Sequence, residues 1–78
     1  MYKDKQYTKL LALLKNIRKE RKLTQKDIAE KLGKPQSFVS KYELAEKRLD
    51  ILELRQLCKV LGIDLKEFID RLEKVLDN

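Results

Sequence analysis

The sequence predicts an all-α fold of five short helices within one domain. Apolar residues recur at steps of three and four, which is the period of an amphipathic helix. Two glycines and one proline punctuate the 78 residues, and no alternation of apolar and polar residues bounded by turn residues indicates a strand. Residues 1–78 are too few for two hydrophobic cores, so we expect a single domain.

The first helix is expected over residues 8–21 because its apolar residues fall on one face. The residues of that face are Tyr7, Leu10, Leu11, Leu14, Ile17 and Arg21. The polar segment Lys3–Gln6 precedes this helix and is expected to fray.

A capping pattern begins the second helix. Thr24 can accept hydrogen bonds from the free N–H groups of the first turn, and Asp27 can return one. Gly33 stands where a helix end favours a positive φ, and Pro35 suits the first turn of a third helix that ends at Glu43. The residues of the second helix that face inward are Ile28, Ala29 and Leu32. Two helices joined by so short a link form a helix-turn-helix over residues 24–43.

Two further helices complete the prediction. Asp50 is expected to cap the fourth helix, which Gly62 ends, and Asp64 is expected to cap the fifth over residues 65–76. The apolar positions of the fourth helix are Leu52, Leu54, Leu57, Cys58 and Leu61, and those of the fifth are Leu65, Phe68, Ile69, Leu72, Val75 and Leu76. We interpret Cys58 as a small buried hydrophobic residue and not as a reactive thiol.

Positive charge is concentrated in the first half of the chain. Residues 1–48 contain 14 lysines and arginines against 6 acidic residues, whereas residues 49–78 contain 5 against 7. The first part therefore carries a formal charge of +8 and the second −2, which together give +6. This distribution favours an anionic partner for the first half. The alternative is that the charges simply form a solvated face.

The composition argues against several classes of function. The chain has no histidine and one cysteine, which leaves no imidazole base, no disulfide framework and no zinc site of cysteines and histidines. We therefore expect neither an enzyme nor a bound metal or cofactor. The apolar runs are too short for a membrane span or a signal peptide. The protein is expected to be soluble and cytoplasmic, with no membrane partner.

Residues 23–43 read LTQKDIAEKLGKPQSFVSKYE, and this segment resembles the helix-turn-helix of the phage-repressor and Cro-like regulators, the XRE family. The resemblance rests on the pair Thr24 and Gln25, on the D-I-A-x-x-L-G pattern of residues 27–33 and on the V-S-K-x-E pattern of residues 39–43. Residues 49–69 resemble the two closing helices of the family. The resemblance implies a compact, lambda-repressor-like DNA-binding domain in a transcriptional regulator.

The third predicted helix carries a polar stripe opposite its inward face. Val39 and Tyr42 are three residues apart and point inward. The polar residues on the other side are Gln36, Ser37, Ser40 and Lys41. A helix fits the major groove of DNA, where glutamine can pair with adenine and lysine with guanine. The resemblance implies base contacts by Gln36, Ser37 and Lys41, and it places Ser40 close beside them. The alternative is that this side of the helix is only a solvated face.

The resemblance also implies contacts with DNA phosphates. Gln25 matches a family glutamine that approaches a phosphate at a helix N-terminus and can brace the residue at Gln36. Lys34 precedes the third helix, and Lys47 and Arg48 follow it. All three are placed to straddle the groove and to position the protein on the duplex.

Three positions stand out against the family pattern. Pro35 replaces a common serine or threonine, so the third helix lacks a hydroxyl cap. Ala45 stands where a glycine is usual, which predicts either a helix prolonged by about a turn or a strained turn. Phe38 is expected to be partly buried against the following loop, the alternative being contact with a thymine methyl group.

The last helix has more apolar surface than so small a core needs. Leu72, Val75 and Leu76 extend its stripe and predict a homodimer, the alternative being a longer core helix in a monomer. The expected partner is double-stranded DNA with a palindromic operator, without a small-molecule effector. The family resemblance alone suggests controllers of restriction–modification operons or regulators of prophages and plasmids. The competing hypothesis is an antitoxin-like protein-interaction module in which DNA binding is secondary.

Overall fold

The computed structural model describes residues 4–77, and within them the chain forms five helices and no strand. The helices are α1 (Lys5–Glu20), α2 (Gln25–Leu32), α3 (Gln36–Glu43), α4 (Ile51–Leu61) and α5 (Leu65–Leu76). The predicted all-α class is confirmed. α2 packs against α3 as a helix-turn-helix, α1 contacts α3 and α5, and α4 contacts α2 and α5.

α1 begins about one turn earlier than the sequence predicted. Asp4 caps the helix, because its carboxylate accepts a hydrogen bond from the Gln6 N–H at 2.8 Å. The cap stabilises the first turn, so the expected fraying of residues 4–6 is wrong. Lys3, which was part of the same expectation, lies outside the described residues.

One cluster of buried apolar side chains from all five helices forms the core. Its largest fully buried members are Tyr42, Phe68, Leu14, Ile17, Ile28, Leu57, Leu61, Val39 and Cys58. Each large apolar side chain that is fully buried contributes about 1.5–3 kcal/mol. The core therefore supplies most of the force that holds the five short helices together.

The buried faces of α1 and α4 differ from the prediction. On α1, Leu13 and Arg18 are buried, whereas Arg21 is exposed because the helix ends at Glu20 and helical spacing no longer applies there. On α4, Leu52 is 69% exposed. Side chains two residues apart on a helix point to nearly opposite sides, so the burial of Leu54 turns Leu52 outward.

Capping boxes close the N-termini of α2 and α4. Thr24 and Asp27 exchange side-chain to backbone hydrogen bonds of 3.0 and 2.9 Å, as predicted, and Asp50 and Glu53 do the same at 2.7 and 2.9 Å. Hydrogen bonds from the backbone and the hydroxyl of Thr24 lower the pKa of the Asp27 carboxyl. The stabilisation from this carboxylate is therefore present above its ordinary pKa of about 4 and is lost as the pH falls through its folded-state pKa. Pro35 begins α3 without a side-chain cap, as expected.

The ends of α1 to α4 share one hydrogen-bond pattern. A residue with positive φ donates its N–H to a carbonyl three residues back, and the next residue donates to a carbonyl five residues back. This is the Schellman motif. The residues with positive φ are Lys22 (57°), Gly33 (68°), Ala45 (60°) and Gly62 (78°). α3 therefore ends at Glu43, and of the two alternatives for Ala45 the strained turn is correct.

Neither a membrane-spanning helix nor a cluster of metal ligands occurs within residues 4–77. No helix there is long and apolar enough to cross a bilayer, and no three side chains of His, Cys, Asp or Glu lie close enough to share a metal ion. Burial, with a smaller effect of Asp64, raises the pKa of the Cys58 thiol to about 11. The thiol is protonated at neutral pH, and its predicted burial is confirmed.

Replacing Ala45 by glycine is expected to stabilise the domain by about 1 kcal/mol, because the left-handed conformation is strained for every residue with a Cβ. For a chain of this size, this corresponds to a rise in Tm of about 4–8 °C. The matched control is Ala12→Gly in the exposed part of α1, which is expected to lower Tm because glycine weakens a helix interior. Thermal unfolding followed by circular dichroism measures both variants. A lower Tm for Ala45→Gly would contradict the strain.

Candidate nucleic-acid interface

α3 has one buried face and one exposed polar face. Val39 and Tyr42 are 0% and 1% exposed and anchor the helix in the core, as predicted. The residues on the opposite side, called the reading face below, are Gln36, Ser37, Ser40 and Lys41. Ser40 is half-buried and its Oγ donates to the Ser37 carbonyl at 3.2 Å, whereas the other three are exposed. The four polar side chains therefore lie together on the outer surface of α3.

A buried ion pair fixes the last residue of α3. Arg18 of α1 holds both carboxylate oxygens of Glu43, with Nε to Oε2 at 2.8 Å and Nη2 to Oε1 at 3.1 Å. The two side chains are only 10% and 4% exposed. The Arg18 Nη1 also donates to the Leu23 carbonyl at 2.8 Å. One guanidinium thus ties α3 to α1 and to the turn between α1 and α2, through charge-assisted hydrogen bonds.

Gln25 joins the same cluster from the first position of α2. Its Nε2 donates to Glu43 Oε1 at 2.9 Å, a contact that the sequence did not indicate. The Gln25 backbone N–H lies before the first intrahelical hydrogen bond of α2, which Ile28 makes to Thr24. N–H groups in this position face outward from a helix and attract anions.

Sequence reasoning missed the roles of Arg18 and Glu43. Arg18 lies four residues after Leu14 and therefore shares its buried face, but it was not included among the residues of that face. Glu43 closes the V-S-K-x-E pattern of the family resemblance without an assigned role. The available signal was the combination of a basic residue on an apolar stripe and an acidic residue at the end of α3.

Lys34 and Lys47, which precede and follow α3, converge on Phe38. Their ammonium groups lie 5.0 and 5.3 Å from the centroid of its ring, within the range of a cation–π interaction. The ring packs edge-on against Tyr42 with a centroid distance of 5.9 Å, and its predicted partial burial is confirmed. Lys47 also pairs with Glu53, with Nζ to Oε2 at 3.3 Å. Both lysines are thus held beside the reading face.

Tyr7 of α1 holds the loop that carries Arg48. Its hydroxyl donates to the Lys47 carbonyl and accepts from the Leu49 N–H, each at 3.0 Å. Arg48 is exposed, and its guanidinium carbon lies 4.7 Å from the centroid of the Tyr7 ring. The sequence predicted Tyr7 only as a core residue, because the partners of its hydroxyl lie 40 and 42 residues away.

The predicted dimer residues lie along the second half of α5. Leu72, Val75 and Leu76 are all half-buried in the single chain. Leu72 packs against the core, so it does not lie wholly beyond the core as expected. Other large apolar side chains are exposed near the end of α3 and the start of α4, namely Leu44 (62%), Ile51 (60%) and Leu52 (69%).

Comparison with known proteins identifies the family. The helix-turn-helix family model HTH_3 matches residues 14–68, which contain α2, α3 and α4. An XRE-family like protein from Pseudomonas syringae pv. tomato str. DC3000 is 45% identical, with a TM-score of 0.84 over 88% of this chain and 84% of that chain. The chain belongs to the XRE family of helix-turn-helix proteins. The family resemblance predicted from the sequence is confirmed.

A restriction–modification controller protein has the same architecture as this XRE-family chain. Wild-type C.Esp1396I is 26% identical, with a TM-score of 0.89 over 97% of this chain and 100% of that chain. The same protein has been solved as a tetramer in complex with its natural 35 base-pair operator. Comparison with curated protein sequences gives no match. The chain therefore carries a DNA-binding helix-turn-helix of the transcription-regulator class, which is generally non-enzymatic.

Replacing Glu43 by alanine is expected to destabilise the domain by about 3–5 kcal/mol, because Arg18 is left with a buried and unpaired charge. The double variant Arg18→Met, Glu43→Met is expected to recover much of this loss, since neither charge is then buried. Urea unfolding followed by circular dichroism gives the free energies.

The matched control for the buried pair is the exposed pair of Arg71 and Glu20, whose atoms are 3.4 Å apart. Glu20→Ala is expected to change the free energy of unfolding by less than about 1 kcal/mol, because solvent screens an exposed pair. Equal effects of Glu20→Ala and Glu43→Ala would show that the buried pair does not hold α3.

Proposed function

We propose that this protein is a sequence-specific, double-stranded DNA-binding transcriptional regulator that acts as a homodimer on a palindromic operator. The observation that carries the proposal is the division of α3 between a fully buried face and the polar reading face. A helix held by one face and free on the other can enter the major groove without disturbing the core. The similarity to a controller protein solved with its operator supports the proposal.

The side chains of the reading face suit the edges of bases. Gln36 can pair through its amide with N6 and N7 of adenine, and Lys41 can donate to O6 and N7 of guanine. Ser37 and Ser40 offer hydroxyls, which can both donate and accept. Each well-placed bidentate contact supplies about 1–3 kcal/mol of discrimination against a wrong base.

Phosphate contacts are assigned to the residues around the reading face. Lys34, Lys47 and Arg48 stand next to the two ends of α3, and Gln25 contributes the N-terminus of α2. Lys47 would exchange Glu53 for a phosphate on binding. This exchange is easy because the pair is partly exposed, with side chains 34% and 23% accessible, and exposed pairs contribute little.

Homodimerisation is assigned to the apolar stripe of α5. Val75 and Leu76 are half-buried in the single chain, and a second copy related by two-fold symmetry would cover them together with Leu72. A dimer of this kind presents two reading helices about 34 Å apart, which is one turn of DNA. The operator must then share the two-fold symmetry of the protein.

Regulation in this proposal depends on the concentration of the protein through dimer formation. The regulator acts in the cytoplasm on DNA, without a small-molecule effector or a membrane partner. The similarity to a restriction–modification controller favours a role in the control of a restriction–modification operon.

Replacing Gln36 and Lys41 together by alanine is expected to reduce the preference for the operator by about 1–3 kcal/mol for each lost bidentate contact. Binding to random duplex DNA is expected to change much less, because phosphate contacts dominate it. The operator is first selected from a random oligonucleotide pool at a fixed salt concentration. Dissociation constants for the selected and for a scrambled duplex then give the preference.

The controls for this double variant are two single lysine changes. Lys34→Ala is expected to weaken binding to both duplexes by the same factor. It is also expected to reduce the slope of log K against log salt concentration by about one. Lys59→Ala, at an exposed position on α4, is expected to leave affinity and slope unchanged. If the Gln36 and Lys41 double variant loses affinity equally for all DNA sequences, the base-reading role is wrong.

Replacing Val75 by glutamate is expected to convert the homodimer to a monomer, because a charge would enter the apolar seam. Val75 does not belong to the residues packed against the core, so the helical circular dichroism should be retained. Light scattering at several concentrations measures the mass. The matched control, Glu73→Ala at an exposed position of the same helix, should stay dimeric. A wild-type monomer at concentrations that saturate the operator would contradict the dimer.

A further inference from the structure

We propose that Tyr7 is a positioning residue for DNA binding, which fixes Arg48 for contact with a phosphate. The inference rests on the proposed DNA-binding function and adds to the interface a residue of α1, outside the helix-turn-helix. Tyr7 acts through Arg48 and needs no contact of its own with DNA.

The hydroxyl of Tyr7 spans the two peptide groups that enclose Arg48. It donates to the carbonyl of the preceding residue, Lys47, and accepts from the N–H of the following residue, Leu49, at 3.0 Å each. A phenol hydroxyl has one proton to donate and can also accept, and here both capacities serve the same short segment. The backbone on both sides of Arg48 is therefore held in one conformation.

The ring of Tyr7 contacts the side chain of the same arginine. The Arg48 guanidinium carbon lies 4.7 Å from the ring centroid, where the ring attracts a cation. The phenol is 6% exposed and belongs to the core cluster, so it forms a rigid platform. The ring is neutral, so this contact places no negative charge beside Arg48.

The neighbours of Arg48 are fixed by other contacts. The Lys47 ammonium lies over Phe38 and pairs with Glu53, and Leu49 packs against the core. These contacts fix the loop on either side of Arg48. Tyr7 contacts both the flanking backbone and the guanidinium. A side chain that is already ordered loses less conformational entropy when it binds. Tyr7 thus raises the affinity of Arg48 for a phosphate.

A double-mutant cycle separates positioning from stability. Tyr7→Phe removes the hydroxyl and keeps the ring, and Arg48→Ala removes the cation. The probes are the duplex selected by the wild-type protein from a random pool and a scrambled duplex of the same length. Tyr7→Phe removes both hydrogen bonds of the hydroxyl to the segment around Arg48. It is expected to weaken binding of both duplexes about threefold to tenfold, as for the ordering of one long side chain. In the Arg48→Ala background the same change is expected to have no further effect.

The matched control is Thr8→Ala, which removes a hydroxyl from the next residue of α1. The Thr8 Oγ1 donates to the Asp4 carbonyl at 3.0 Å, a bond local to the start of α1, so affinity and salt dependence should not change. A readout without DNA is the hydrogen exchange of the Leu49 amide. This amide loses its acceptor in Tyr7→Phe and is expected to exchange faster.

Three outcomes overturn the inference. If Tyr7→Phe weakens binding equally with and without Arg48, the tyrosine only stabilises the fold. If Arg48→Ala lowers affinity and Tyr7→Phe does not, the positioning role is wrong while the proposed function stands. If the wild-type protein binds neither duplex, the proposed function fails and the inference fails with it.

Discussion

A single buried guanidinium determines how the helix-turn-helix is joined to the rest of the domain. Arg18 extends from α1 to the carboxylate that ends α3, and it also holds a carbonyl between α1 and α2. Gln25, the first residue of α2, donates a hydrogen bond to the same carboxylate of Glu43. Burial of opposite charges is costly unless the geometry is good and the remaining polar groups are satisfied. An orientation of α3 that separated the pair would leave the buried Arg18 without its partner, so the pair favours one arrangement of the three helices.

Aromatic rings position three cations near α3, the helix that the ion pair orients. Lys34 and Lys47 lie over Phe38, and Arg48 lies over Tyr7. A ring attracts a cation without adding negative charge, whereas an acidic side chain in the same place would weaken the local field. Three of the cations in residues 1–48 are thus ordered in part by neutral rings, and Lys47 is paired with Glu53 as well.

The sequence was sufficient for those features whose causes are local. The capping box of α2, the glycine that ends it and the inward face of α3 depend on residues a few positions apart, and all were predicted. The predictions failed where a long side chain joins distant segments. The amide of Gln25 bonds to Glu43, and Arg18 reaches Glu43 across 25 residues. Neither this contact nor the hydroxyl bonds of Tyr7 leave a local pattern, and the base contacts of α3 stay predictions because they depend on DNA as well as on the chain.

α3 is only eight residues long, and a helix of this length is not stable alone in water. It keeps its shape because Val39, Tyr42 and the ion pair at its end hold it against the domain. Of the reading face, Gln36, Ser37 and Lys41 are exposed, and their side chains take no part in that support. If these side chains determine which operator is bound, DNA specificity and folding stability depend on different residues and can evolve separately. A lineage could then acquire a new DNA target through exposed substitutions while remaining folded at every step, whereas changes at Arg18 or Tyr42 would be eliminated whatever the target.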